Sequence, residues 1–124
     1  MADKQEQVQD LERLVKEIMK AGQDYVAAKL VSDQLQEDEK NFLAELQNNI
    51  EESVKDKTSE SKLERLARGS QAFRNYVTGR VTANAEMLRK KIRYESLQSL
   101  FEAKRSELSF ERVKLEKGIF HEGS

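Results

Sequence analysis

Three observations predict an all-α fold: an elongated helical hairpin or coiled-coil-like bundle of two long helices joined by a short one. Proline is absent and the five glycines are scattered, so little in the chain interrupts a helix. The apolar residues recur at steps of three and four, the period of a helix face, and an all-β or α/β chain would have little turn chemistry to draw on. With 37% hydrophobic, 36% charged and only 6% aromatic residues, the chain is too regularly apolar for disorder and too charged for a thick globular core. Its 124 residues suit one domain, 1–124.

The first element is an acidic long helix, or two in line, over residues 3–57. Val8, Leu11, Val15, Ile18, Gly22 and Tyr25 step by threes and fours, and Leu46 and Ile50 return to the same seven-residue frame, the spacing of a coiled-coil-like seam. Between them Lys29, Ser32, Gln36 and Glu39 occupy positions that should be apolar, while Leu30, Val31, Leu35 and Phe42 lie off the frame. A stutter that shifts the stripe explains this, and a loop at Ser32-Asp33 with Asp33 capping a new helix is the alternative.

Residues 58–70 form a capped linker. Thr58-Ser-Glu-Ser61 is small and polar, and Ser61 with Glu64 matches a capping box, so a short helix starts at Ser61. Gly69 is placed to end it and Ser70 to cap the next. A basic long helix follows over 71–117, and 118–124 is a flexible tail. Along that helix Phe73, Val77, Val81, Leu88 and Ile92 form one stripe, and Leu97, Phe101, Leu108 and Leu115 another on the opposite side. A hairpin buries one stripe per helix, so the second requires a cover. A homo-oligomer supplies it, with Leu97, Phe101, Leu108 and Leu115 as the oligomer or partner interface; a final helix bent back within one chain, or a groove filled by another protein's helix, would serve instead.

Charge changes sign along the chain. Residues 1–60 carry 8 Lys/Arg against 15 Asp/Glu, and residues 61–124 carry 14 against 8, so the net −1 is made of −7 and +6. The excess concentrates in residues 62–93, where nine basic residues stand against Glu64 and Glu86. Arg65, Arg68, Arg74, Arg80, Arg89, Lys90, Lys91 and Arg93 are the candidate nucleic-acid-binding residues, because guanidinium groups pair with phosphates in two-point contacts and stack on bases. Phe73, Tyr76 and Tyr94 interleave with them; Phe73 belongs to the apolar stripe, and Tyr76 and Tyr94 could face a subunit or a base. The competing reading lays the basic stretch against the acidic first helix of the same or another chain.

Catalytic constellations are thin. His121 is the one histidine and stands in the tail, Glu37-Asp38-Glu39 and Glu51-Glu52 diverge by about 100° per residue on a helix, and no Gly-rich phosphate loop or HExxH helix occurs. Without cysteine there is no disulfide and no thiolate ligand. No catalytic residue, metal site or cofactor is expected. No apolar run reaches the roughly 18 residues of a membrane span, and Met1-Ala-Asp-Lys is not a secretory signal, so the expected setting is cytoplasmic, with no membrane partner.

Ser61-Lys-Leu-Glu-Arg-Leu-Ala-Arg-Gly-Ser70, Phe73-Arg-Asn-Tyr-Val77, Leu88-Arg-Lys-Lys-Ile-Arg-Tyr-Glu95 and Phe101-Glu-Ala-Lys-Arg-Ser-Glu107 resemble segments of small all-helical proteins that bacteriophages encode. The layout over roughly residues 30–115 is also similar to recombination mediators of the UvsY type. That resemblance implies an oligomer that binds single-stranded DNA, helps load a recombinase and works in the cytoplasm of a bacterial host. It transfers no individual residue. The expectation is therefore a non-catalytic, oligomeric helical protein holding single-stranded nucleic acid by its phosphates. The rival is an adaptor or inhibitor that docks a host or phage protein through Leu97, Phe101 and Leu108, and a third reading is a structural spacer.

Overall fold

The computed structural model describes residues 4–54 and 57–122, the last five by their backbone alone. Three helices follow one another: α1 (Lys4–Ser53), α2 (Glu60–Arg68) and α3 (Gln71–Glu122). No strand occurs among the described residues. The chain divides into two compact units, one built from residues 1–25 and 90–124, the other from residues 26–89.

α1 is continuous through the stretch where a stutter or a loop at Ser32-Asp33 is expected. Its inward residues explain why. Leu11, Ile18, Tyr25, Ser32, Glu39 and Leu46 recur every seven residues, as do Leu14, Ala21, Ala28, Leu35 and Phe42, and all of them are buried or half-buried. Half of the expected frame is thus displaced by one residue: Val8 and Val15 point outward, while Leu14 and Ala21 are buried. Leu35 and Phe42 belong to this inward set, and Ser32 and Glu39 are members of it that happen to be polar. The count of seven therefore never breaks, and no stutter is needed.

In the second unit α1 and α3 run antiparallel. Phe42 stacks on Tyr76 with ring centroids 4.5 Å apart and planes 17° from parallel, and Arg80 reaches back to Glu39. The α3 residues Phe73, Tyr76, Arg80, Ala83 and Met87 are all at least half-buried. The linker is capped two residues earlier than expected, since Ser59, not Ser61, has the extended backbone of an N-cap and accepts from Lys62 N–H at 3.3 Å. Glu64 is consequently not part of a capping box; it binds Arg68 at 3.0 Å along the same helix face.

The turn into α3 is closed by backbone and by one hydroxyl. Gly69 N–H donates to Arg65 O at 3.0 Å and Ser70 N–H to Ala67 O at 3.2 Å, which satisfies carbonyls a helix end leaves open. Gly69 keeps a right-handed backbone, φ −82°, so the turn does not use glycine's left-handed freedom. Ser70 Oγ donates to Ala67 O at 2.6 Å and accepts from Phe73 N–H at 3.1 Å, capping α3 while tying it to α2. Leu63 and Ala67 of α2 and Phe73 of α3 are buried, and burying side chains the size of Leu63 and Phe73 contributes about 2 kcal/mol each.

In the first unit the N-terminal part of α1 packs against the later part of α3, again antiparallel. Tyr25 and Tyr94 stack with centroids 6.2 Å apart, and Leu11 and Leu108 line one groove. Gly22 permits the approach of the Tyr94 ring, because a Cβ at that position would lie 2.8 Å from Cε2. The helix does not stop at residue 117: its backbone continues through Gly118 to Glu122, in place of the flexible tail expected there, while Gly123 and Ser124 lie outside the described residues.

Candidate nucleic-acid and partner surfaces

The eight candidate basic residues divide between local contacts, the helix interface and open solvent. In the second unit Arg65 is exposed, Arg68 pairs with Glu64 and places its guanidinium carbon 5.9 Å from the centre of the Phe73 ring, and Arg74 is exposed and donates to Gly69 O at 2.9 Å. Arg89 is exposed, 3.4 Å from Glu86 in its own helix. In the first unit Lys91 lies 4.0 Å from Glu95 along α3 and Arg93 is exposed. Lys90 is half-buried and engaged in an interaction of its own.

Arg80 is the exception among the eight, because its contact is with the other helix. Its Nε lies 3.1 Å from Glu39 Oε1, both side chains being about one-third exposed, and the angle falls outside hydrogen-bonding geometry although the atom is buried. This is a charge contact between helices, and it leaves Arg80 less exposed than the other arginines of the set. The positions of the others differ in direction. Lys91 is 200° from Arg89 on the helix, and Arg93, a further 200° on, returns to within 40° of Arg89, so these basic side chains fall on two opposite sides of α3.

Beside Arg80, a polar cluster occupies the interface of the second unit. Tyr76 O–H donates to the main-chain carbonyl of Leu35, which lies within α1, four residues before Glu39. Burial raises the phenol pKa above its ordinary value, the nearby Asp38 and Glu39 charges add to the rise, and Arg80 opposes it. One turn toward the start of α1, Ser32 is 1% exposed with no hydrogen-bond partner for its hydroxyl. Sequence patterning leaves this cluster unseen because Arg, Glu and Ser at inward positions read as interruptions. The faint signal is their seven-residue spacing from Leu46 and Phe73.

The expected interface residues are also redistributed. Leu97, Phe101 and Leu108 are half-buried at three, seven and fourteen residues beyond Tyr94, on its α1-facing side; within the first unit they form part of the helix packing and are not a spare stripe. Leu115 is exposed. Conversely Val81, Leu88 and Ile92, expected to face the partner helix within the chain, are exposed.

The groove in the first unit, between Asp10, Leu11, Lys104, Glu107 and Leu108, holds about 100 Å³, below the roughly 300 Å³ at which small-molecule pockets begin. Glu37, Asp38 and Glu39 diverge as expected: Glu37 is exposed, Asp38 accepts from Gln34 at 2.8 Å and Glu39 meets Arg80. Among the described residues no group of three His, Cys, Asp or Glu side chains could hold a metal ion, and no helix is long and apolar enough to cross a membrane. The His121 side chain lies outside the description.

No protein-family model matches this chain, and neither the curated proteins nor the solved structures contain a chain that it resembles at a meaningful level.

Proposed function

We propose that this chain is a non-catalytic helical protein that acts as an oligomer and holds single-stranded nucleic acid by its phosphates. The observation that carries the reading is the fate of the basic residues. Arg65, Arg74, Arg89, Lys91 and Arg93 are exposed, and the contacts given for Arg74, Arg89 and Lys91 are to neighbours no more than five residues away. Their charge is therefore not spent on the acidic α1 of the same chain, in contrast to Arg80. Binding to phosphates by side chains scattered around a helix selects charge and not sequence, and repetition in an oligomer multiplies a modest contact. A bacteriophage origin, a part in recombination and a place in the cytoplasm of a bacterial host belong to the same proposal.

The test is an anisotropy titration of single- and double-stranded DNA at roughly 50 and 200 mM salt. Affinity for single strands should fall steeply with salt, and replacing Arg65, Arg74 and Arg89 together by Ala should lower the slope of log affinity against log salt by about 2, at about 0.7 per phosphate contact. Absence of binding at the lower salt would reject the reading.

A second reading, a protein adaptor or inhibitor, is favoured by one observation: α3 exposes Val81, Leu88 and Ile92, and α1 exposes Val26 and Leu30, apolar side chains that another protein's amphipathic helix or groove would cover.

A further inference from the structure

We propose that the corner between α2 and α3 has a second conformation, one straight helix from Glu60 onward, and that a phosphate taken by Arg74 favours it. The coupling to phosphate rests on the nucleic-acid part of the proposed function and adds a conformational response to it.

The corner is close to helical already. Gly69 keeps φ −82° and ψ −6°, and the bonds from Gly69 N–H to Arg65 O and from Arg74 N–H to Ser70 O have the four-residue span of an α-helix. A continuous helix would also join Phe73 N–H to Gly69 O. Two side chains hold that pair apart: Ser70 Oγ accepts from Phe73 N–H at 3.1 Å, and Arg74 Nη2 donates to Gly69 O at 2.9 Å. Ser70 and Arg74 together are the latch of the bent form. The Arg74 side chain is exposed, so a strand phosphate can reach it. A phosphate that takes the Nη2 edge takes it from Gly69 O, because the charged acceptor makes the stronger bond, and the bend is left with half of its latch.

Leu66 supplies an independent observation. Phe73, Arg80 and Met87 recur every seven residues and are at least half-buried. Leu66 stands seven before Phe73, yet it is 45% exposed. The bend takes it off the inward line, and a straight helix returns it there. Since Arg80 meets Glu39, an antiparallel continuation sets Leu66 level with Ser53, three residues past the half-buried Ile50. Glu60 then lies about 9 Å beyond Ser53 along the axis and about 8–10 Å to the side. The chain between them spans roughly 20 Å when extended, so the linker permits the change. Straightening withdraws Leu63 and Ala67, which are buried in the bent form, so the bent form prevails in the free chain. A bound strand shifts the population by its preference for the form that frees Arg74.

The experiment is a pulsed electron-spin distance measurement on the full chain, which has no cysteine of its own, labelled through Ser61→Cys and Thr82→Cys at two exposed positions of the second unit. A straight helix sets these backbones about 32 Å apart, and the bend brings them closer. With the corner otherwise wild type, the free chain should give the shorter distance. Ser70→Ala, and separately a saturating oligothymidylate, should each raise the share of the long distance several-fold. Leu66→Ser should suppress that share in both cases, because Leu66 is exposed in the bent form and inward only in the straight one. Arg74→Gln removes the other half of the latch and takes the place of Ser70→Ala if circular dichroism shows that variant unfolded. A single short distance in the latch variant overturns the second conformation. A strand that binds by anisotropy without changing the distance overturns the coupling and leaves the proposed function standing, whereas no binding by anisotropy overturns both.

Discussion

Gly22 and Gly79 sit in helix interiors, where glycine costs about 1 kcal/mol relative to alanine, yet their surroundings are opposite. A Cβ on Gly79 meets nothing within 4 Å, whereas one on Gly22 would press into the Tyr94 ring. Gly79→Ala should therefore stabilise the chain by about 1 kcal/mol in urea unfolding. Gly22→Ala should destabilise it in the wild type and stabilise it once Tyr94→Ala has removed the ring. If both glycine variants gained stability alike, the close approach at Gly22 would carry no weight. Ser32 shows the same dependence on surroundings: an ordinary polar residue in sequence, it is buried more completely than any leucine in the chain's described core.

At the scale of the helix, Tyr76 joins α3 to α1 through a main-chain acceptor, and the position of its ring on Phe42 makes the contact specific for one register. The phenol is held neutral in the folded state because burial, seconded by Asp38 and Glu39, raises its pKa. A group whose folded pKa is raised contributes its stability below its unfolded value, near 10, and loses it as the pH climbs through the higher folded value. Urea midpoints should thus decline above about pH 10. Tyr76→Phe should remove that part of the decline and cost about 1 kcal/mol at neutral pH through the lost hydrogen bond. An unchanged alkaline profile in the variant would assign the decline to other groups. The Arg80–Glu39 contact contributes less to stability than its central position suggests, because both groups keep about one-third of their exposure and water screens them. Its larger effect is on alignment, since a shifted register leaves both charges facing apolar neighbours.

At the scale of the whole molecule, the buried set among the described residues is small: Leu14, Ala21, Leu63, Ala67 and Phe73, with Ser32. Much of the apolar area that would stabilise a compact chain of this length stays in water, so association should add to stability by mass action. The melting temperature should rise by several degrees as concentration goes from about 1 to about 100 µM, since linkage of a second copy is worth a few kcal/mol at such excess. A melting temperature independent of concentration would mean that one chain holds the fold without a second copy.

The sequence by itself determined the all-helical class, the long helices and the break between them: without proline and with a three-and-four spacing of apolar residues, no other secondary structure competes. It also located the change of charge sign, which is a property of composition alone. Only the tertiary structure decided which face of each helix is inward. Apolarity is a one-way guide to burial. Val8, Val15, Val81 and Leu88 look like seam residues and face solvent, whereas Ser32, Glu39 and Arg80 look like interruptions and face the other helix. The cap moved from Ser61 to Ser59 for a related reason: both serines suit the role, and only the backbone path into α2 chooses between them. Side chains near the inner face are chosen by what stands opposite them, an acid for Arg80 and a ring for Gly22, and that partner lies more than forty residues away in the chain, beyond the reach of any local pattern.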